Sequence, residues 1–176
     1  MRIPADSAST PHLGTTGSNP DPLPRITERD YKHDRISAIS ALTVSPVRHR
    51  MGLYCQFHRK NIQQAKTCGF LRHLLRHLRG HVIVIWDNGK PHQGEPIRAL
   101  RRRFRRLHLE RFPTYAPELN PDEGVWSQVK NTLANGRPDN LDDLAAALRR
   151  TARSLRAPQP KLRWCIHQTE LPPFLR

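Results

Sequence analysis

Val82-Ile-Val-Ile-Trp86 is a run of five apolar residues, and Asp87-Asn-Gly follows it directly. A run of this length and β-branched content suits a strand and is far too short to span a bilayer. It lacks the alternation of a strand with one wet face. It therefore predicts a strand covered on both faces, as in the middle of an α/β sheet. A chain built around such a strand needs helices to form the covering layers.

The remaining sequence supplies them. Residues 36–44 are apolar and β-branched and predict a strand, 46–50 is a basic turn, and 51–57 reads as the hairpin partner. Phe70, Leu71, Leu74, Leu75 and Leu78 recur at helical spacing within 66–79, and Gly80 stops the run. A second helix fits 94–107, with Ile97, Leu100, Phe104 and Leu107 inward, and a short strand fits 107–112. A third helix starts at Asn120-Pro121, since asparagine is a good N-cap and proline suits the first helical position. Its apolar face is Val125, Trp126, Val129 and Leu133, with Trp126 read as core. A fourth helix fits 140–155. The order predicts a mixed α/β layer domain of the size one core can support.

Two ends fall outside it. Pro4, Pro11, Pro20, Pro22 and Pro24 interrupt the first stretch, so 1–31 reads as a disordered, proline-rich tail. Residues 158–176 read as an irregular C-terminal tail, leaving 32–157 as the domain.

Charge narrows the partners. Thirty Lys and Arg stand against fifteen Asp and Glu, a net charge of +15. Such a surface attracts phosphate backbones and releases their counterions, which makes nucleic acid the expected partner and an anionic membrane surface the alternative. No apolar run is long enough for a membrane helix, and the first thirty residues hold no signal-like apolar core. The three cysteines, Cys55, Cys68 and Cys165, are scattered, with no CxxC pair. They suggest neither a zinc site nor a disulfide framework, and fit a reducing, cytoplasmic setting.

Two carboxylates stand out. Asp87 ends the apolar strand, where ligands of open α/β sheets gather, although Asp-Asn-Gly is also a strong turn tripeptide that an aspartate caps. Glu123 falls in the first turn of the third helix. Asn120-Pro-Asp-Glu123 also matches a capping box, so Glu123 can serve the helix start alone. Together, an acid at a strand end and one at a helix start can converge on a divalent metal with hard oxygen ligands.

Arg98, Arg101, Arg102, Arg103, Arg105 and Arg106 are six arginines within nine residues, with no acid among them. Placed on the second helix, they favour phosphate binding over a plain solvated face. Lys130, one turn beyond Trp126, is a further phosphate contact or an exposed lysine. Asp87-Asn-Gly-Lys-Pro-His92 can fold His92 over a metal site, which makes it a further site candidate. His73 and His77 are four apart but lack the glutamate of a metalloprotease pattern, and read as surface or boundary residues.

With these residues in place, the chain resembles the bacterial insertion-sequence transposases of the mariner superfamily. The resemblance rests on 34–42, on Phe70-Leu-Arg-His-Leu-Leu75, on 82–88 with His92, and on Tyr115-Ala-Pro-Glu-Leu-Asn-Pro-Asp-Glu-Gly-Val-Trp126 with Lys130. It covers roughly residues 32 to 155. It implies a DDE catalytic domain of ribonuclease H-like fold that uses Mg²⁺ or Mn²⁺ to cleave and join DNA strands in transposition, with Asp87 and Glu123 as the second and third catalytic acids. It also implies association with the nucleoid, and a second copy or another transposase chain as partner. The family's first acid lies on a central first strand upstream of residue 36. Here that region is the proline-rich tail, where Asp6 is the candidate. The expectation is therefore a partial, N-terminally truncated domain lacking its first strand, weakly active or inactive alone. The alternative is a non-catalytic DNA-binding remnant.

Overall fold

A computed structural model of the chain describes residues 2–3, 35–114, 116–134, 136 and 138–171. Asp6 and nearly all of the 1–31 tail lie outside these residues.

Strand β1 (Arg2–Ile3) is a two-residue stub, so the first stretch is not without β structure. It pairs antiparallel with the start of β2 (Ile36–Val44), Arg2 opposite Ser37 and Ile3 opposite Ile36. β2 turns through residues 45–50 into β3 (Met51–His58), the expected hairpin, with Val44 opposite Met51 and Ser37 opposite His58. Helix α1 (Gln64–His77) follows, two residues earlier than its periodicity suggested, and Gly80 beyond it takes φ +72°. β4 (Val82–Trp86) and β5 (Leu107–Arg111) form a separate parallel pair with Val82 opposite Leu107. Helix α2 (Glu95–Arg103) connects them, since parallel strands need a crossover. Helices α3 (Pro121–Ala134), α4 (Leu141–Arg156) and α5 (Gln159–His167) complete the described chain. The result is the mixed α/β arrangement of small sheets flanked by helices expected from the sequence, with sheet order β1-β2-β3 beside β4-β5.

The hairpin is the middle layer. On one face Ile36, Ala38 and Leu53 cluster with Val125, Trp126, Val129, Leu148, Leu155 and Leu162 of the three C-terminal helices. On the other, Ile39, Ala41 and Tyr54 join Phe70, Leu71 and Leu74 of α1, which also cluster with Val82, Ile97, Leu100 and Leu107. Alternation along β2 thus splits its side chains between two cores.

Three expectations change. β4 is not covered on both faces: Ile83 is 67% and Ile85 42% exposed, while Val82 is buried. α1 and α2 pack against one face, and α3 to α5 are engaged on the hairpin instead. The second helix ends at Arg103, with Phe104 as its C-cap, so Arg105 and Arg106 sit in the turn before β5. The tail after residue 158 is not irregular. α5 buries Leu162, Cys165 and Ile166 to 1–2% exposure. Burial of each Leu or Ile contributes about 1.5–3 kcal/mol, enough to dock a nine-residue helix that proline content obscures. Pro160 sits in its first turn, where no helical hydrogen bond needs its missing N–H.

Cys68 and Cys165 are buried, Cys55 is half-buried, and all three are free thiols. His73 and His77 lie on α1 with ring centres 4.3 Å apart, beside Tyr54. Among the described residues no helix is long and apolar enough to cross a membrane.

Candidate active site

Asp87 leaves the carboxyl end of β4 into a built turn. Its Oδ1 accepts the Gly89 N–H at 2.8 Å and lies 2.7 Å from His92 Nδ1. The His92 ring stacks on Trp86 at 4.7 Å and 3°, which fixes its plane over the strand end. Asp87 itself stays exposed, its side chain 67% accessible. The turn reading of Asp-Asn-Gly holds: Oδ1 caps the turn, and Oδ2 has no donor among the described residues. His92, expected over a metal site, contacts the Asp87 carboxylate itself. A Cβ on Gly89 would stand 2.8 Å from Asp87 Oδ1, so a larger residue there would shift the Asp87 carboxylate.

Glu123 begins α3 differently from a capping box. Asn120 Oδ1 accepts the Asp122 N–H at 3.2 Å, as an N-cap should. The reciprocal bond is missing, because the Asn120 N–H already donates to Pro117 O at 2.9 Å. The Glu123 backbone enters the helix through its N–H to Asn120 O at 3.1 Å. Its carboxylate is exposed and finds no hydrogen-bond or ion-pair partner among the described residues. It is a fixed and available charge at a helix N-terminus, where the macrodipole favours an anion.

Beside it stands an acid that sequence reasoning missed. Asp122 Oδ2 accepts from Ser40 Oγ at 2.5 Å and from Trp126 Nε1 at 2.9 Å. Its Oδ1 is buried with no partner. Burial pushes this carboxyl well above the usual carboxylate range, against the two hydrogen bonds, which favour ionisation. The signal was present: Asp122 and Trp126 are four apart on one helix face, within donor–acceptor reach. Ser40, 82 positions away, could come only from the fold.

No hydrogen bond or ion pair joins Asp87 to Glu123. Their elements belong to different cores, β4 with α1 and α2, and α3 with the hairpin and α4. Among the described residues no group of three or more His, Cys, Asp and Glu is placed to enclose a metal ion. The hard oxygens of the two acids suit Mg²⁺ in type but form an incomplete donor set.

The arginine run divides by partner. Arg98 and Arg102 both pair with Glu95, so the run is not free of acid once folded. Arg106 donates to the carbonyls of Leu75, Leu78 and Gly80 and clamps the end of α1. Arg103 lies over the Phe104 ring at 5.9 Å. Arg101 and Arg105 line a shallow groove of about 290 Å³ with His108 and Glu110. In the same region, His81 Nδ1 meets His108 Nε2 at 3.0 Å. Lys130 is exposed on α3.

The sequence also matches a known protein class. The chain belongs to the DDE superfamily endonucleases, whose family model matches residues 8–145. The match contains Asp87, Glu123 and every arginine of the run. Among solved structures, the catalytic domain of Mos1 mariner transposase is similar at 14% identity, over 78% of this chain and 83% of that one, with a TM-score of 0.46. No curated protein matches.

Proposed function

We propose that this chain is the catalytic domain of a DDE transposase of the mariner superfamily, carried by an insertion sequence and incomplete as a metal site on its own. The observation that carries this reading is the availability of Glu123 and of Asp87 Oδ2. Each is exposed, free of a competing donor, and fixed at the end of a rigid element within the family match. Asp87 and Glu123 would be the residues to hold Mg²⁺ or Mn²⁺, and the metal, if bound, would supply Lewis-acid chemistry for phosphodiester cleavage and strand joining. His92 orients Asp87 through Oδ1. Arg101, Arg105 and Lys130 bind the DNA backbone by charge, with Arg98, Arg102 and Arg103 adding positive potential behind them. The substrates are transposon ends and target DNA, the location is the nucleoid, and a second copy or another transposase chain completes the assembly.

The test is nicking of supercoiled plasmid in Mg²⁺ or Mn²⁺ by the purified chain, beside Asp87→Asn and Glu123→Gln. Weak cleavage abolished by both substitutions supports the assignment. Robust cleavage that survives Asp87→Asn overturns it. A second reading, a non-catalytic DNA-binding remnant, is favoured by the incomplete donor set. It predicts DNA binding with no cleavage, and binding that Glu123→Gln leaves intact.

A further inference from the structure

The uncovered face of the β4–β5 pair carries two histidines. His108 stands opposite Ile83 in the register, and His81 lies two positions before Ile83. Ile83 is exposed, while the neighbouring pair Val82 and Leu107 is buried. Alternation therefore puts both imidazoles on the open side. The backbone between them is fixed, because the Val82 N–H donates to Arg106 O at 2.8 Å and Val82 pairs with Leu107 in the ladder. His81 Nδ1 and His108 Nε2 face each other at 3.0 Å, with the rings 30° apart. Among the described residues neither ring bonds to any other group.

A separation of 3.0 Å has two physical readings. One is a hydrogen bond between neutral rings, one donating and one accepting. Such a bond contributes about 0.5–1.5 kcal/mol at most, and between exposed groups water can replace either partner. The other is the bite of a chelate. Two imidazole nitrogens held at about 2.0–2.1 Å from one cation lie about 3 Å apart when they take neighbouring coordination positions. The pair thus stands at ligand spacing already, on two paired strands rather than on a loop. Each ring then carries its proton on the outer nitrogen, His81 Nε2 or His108 Nδ1.

We infer that His81 and His108 form a two-histidine site for a transition-metal dication of the Zn²⁺, Ni²⁺ and Cu²⁺ class, with water in the remaining positions. Imidazole suits these ions, whereas Mg²⁺ takes oxygen ligands. Arg101 and Arg105 line the groove beside His108 and oppose a cation, and Glu110, two residues along the same strand face, offsets them. The site is separate from the two carboxylates. Asp87 leaves the other end of β4, on the order of 20 Å from His81 along the strand. The inference does not depend on how Asp87 and Glu123 act.

The test follows the histidine ring resonances of the full chain by NMR as Zn²⁺ is added. The chains compared are the wild type, His81→Ala, His108→Ala and, as a control, His77→Ala. His81 and His108 are exposed, so their variants retain the fold, which the amide spectrum checks directly. The expected result is a joint shift of His81 and His108 along a single binding curve. Either alanine at the site weakens it at least about 10-fold, the effect of disturbing even an outer-shell partner of a metal. His77→Ala leaves it unchanged, and Mg²⁺ does not produce it. A shift of one ring that survives removal of the other overturns the site, since each imidazole then binds alone. Zn²⁺ shifts confined to other histidines, or no shift at all, overturn it as well.

Discussion

Ser40 Oγ donates to Asp122 Oδ2 over 2.5 Å and ties the middle of β2 to the first turn of α3. Trp126 Nε1 closes the same carboxyl from one turn on. The helix start is thereby fixed to the sheet by the residue immediately before Glu123, which leaves Glu123 exposed at a defined place.

The Asp122 carboxyl gives a pH signature. Its folded pKa is raised by burial, so the folded chain keeps a proton that the unfolded chain releases above the ordinary aspartate value of about 3.9. The stability it contributes is full below that value and is lost as pH rises towards the folded pKa. Asp122→Asn keeps an oxygen for Ser40 and Trp126 and cannot ionise. Urea unfolding of both chains across pH should show the advantage of Asp122→Asn growing as pH rises above about 4. A constant difference across that range would refute the burial of an ionisable group here.

Arg106 behaves as a structural residue. It caps three carbonyls at the end of α1, those of Leu75, Leu78 and Gly80. Arg106→Ala should cost about 2–3 kcal/mol in urea unfolding, because these acceptors lose a charged donor. Arg106→Lys should not restore it, since an ammonium cannot fork across the three. Arg101→Ala, at an exposed position, should stay within about 0.5 kcal/mol. Equal effects from Arg101→Ala and Arg106→Ala would contradict the clamp.

His92 should matter to cleavage through Asp87. If the chain nicks DNA, His92→Ala should lower the rate by about 10–100-fold, the usual effect of removing a group that orients a metal ligand. Gly89→Ala should act in the same direction, since its Cβ would meet Asp87 Oδ1 at 2.8 Å. Plasmid nicking under matched metal concentrations measures both. Unchanged rates in the two variants would show that the turn holds Asp87 without consequence for chemistry.

Ile83 and Ile85, exposed on the uncovered face of β4, are candidates for self-association. Ile83→Lys/Ile85→Lys should leave unfolding free energy within about 1 kcal/mol while shifting the sedimentation profile towards monomer. A large stability loss would show that the face is covered in solution.

Much of this was legible locally. Strand 36–44 and the helices at 66–77 and 141–155 follow from composition and periodicity, and 82–86 was legible as an apolar strand although its uninterrupted run concealed the face it leaves exposed. The strand-end Asp87 and the helix-opening Glu123 were readable for the same reason, since turn and cap chemistry are written within a few residues. α5 was not, because Pro158 and Pro160 resemble a breaker and only docking of Leu162 and Cys165 onto α3 and α4 makes the helix worthwhile. The arginine run was read as one surface because charge along a sequence carries no partner information.

The sequence by itself determined the alternation of elements, the basic excess, and the places of Asp87 at a strand end and Glu123 at a helix start, all of which depend on neighbours near in the chain. Tertiary structure decided which of those groups remain free. Pro117 O rather than the Glu123 side chain satisfies the Asn120 N–H, the α1 carbonyls occupy Arg106, Glu95 engages Arg98 and Arg102, and Ser40 anchors Asp122. Each is a competition for a hydrogen bond or charge, and packing alone sets which competitors come within reach.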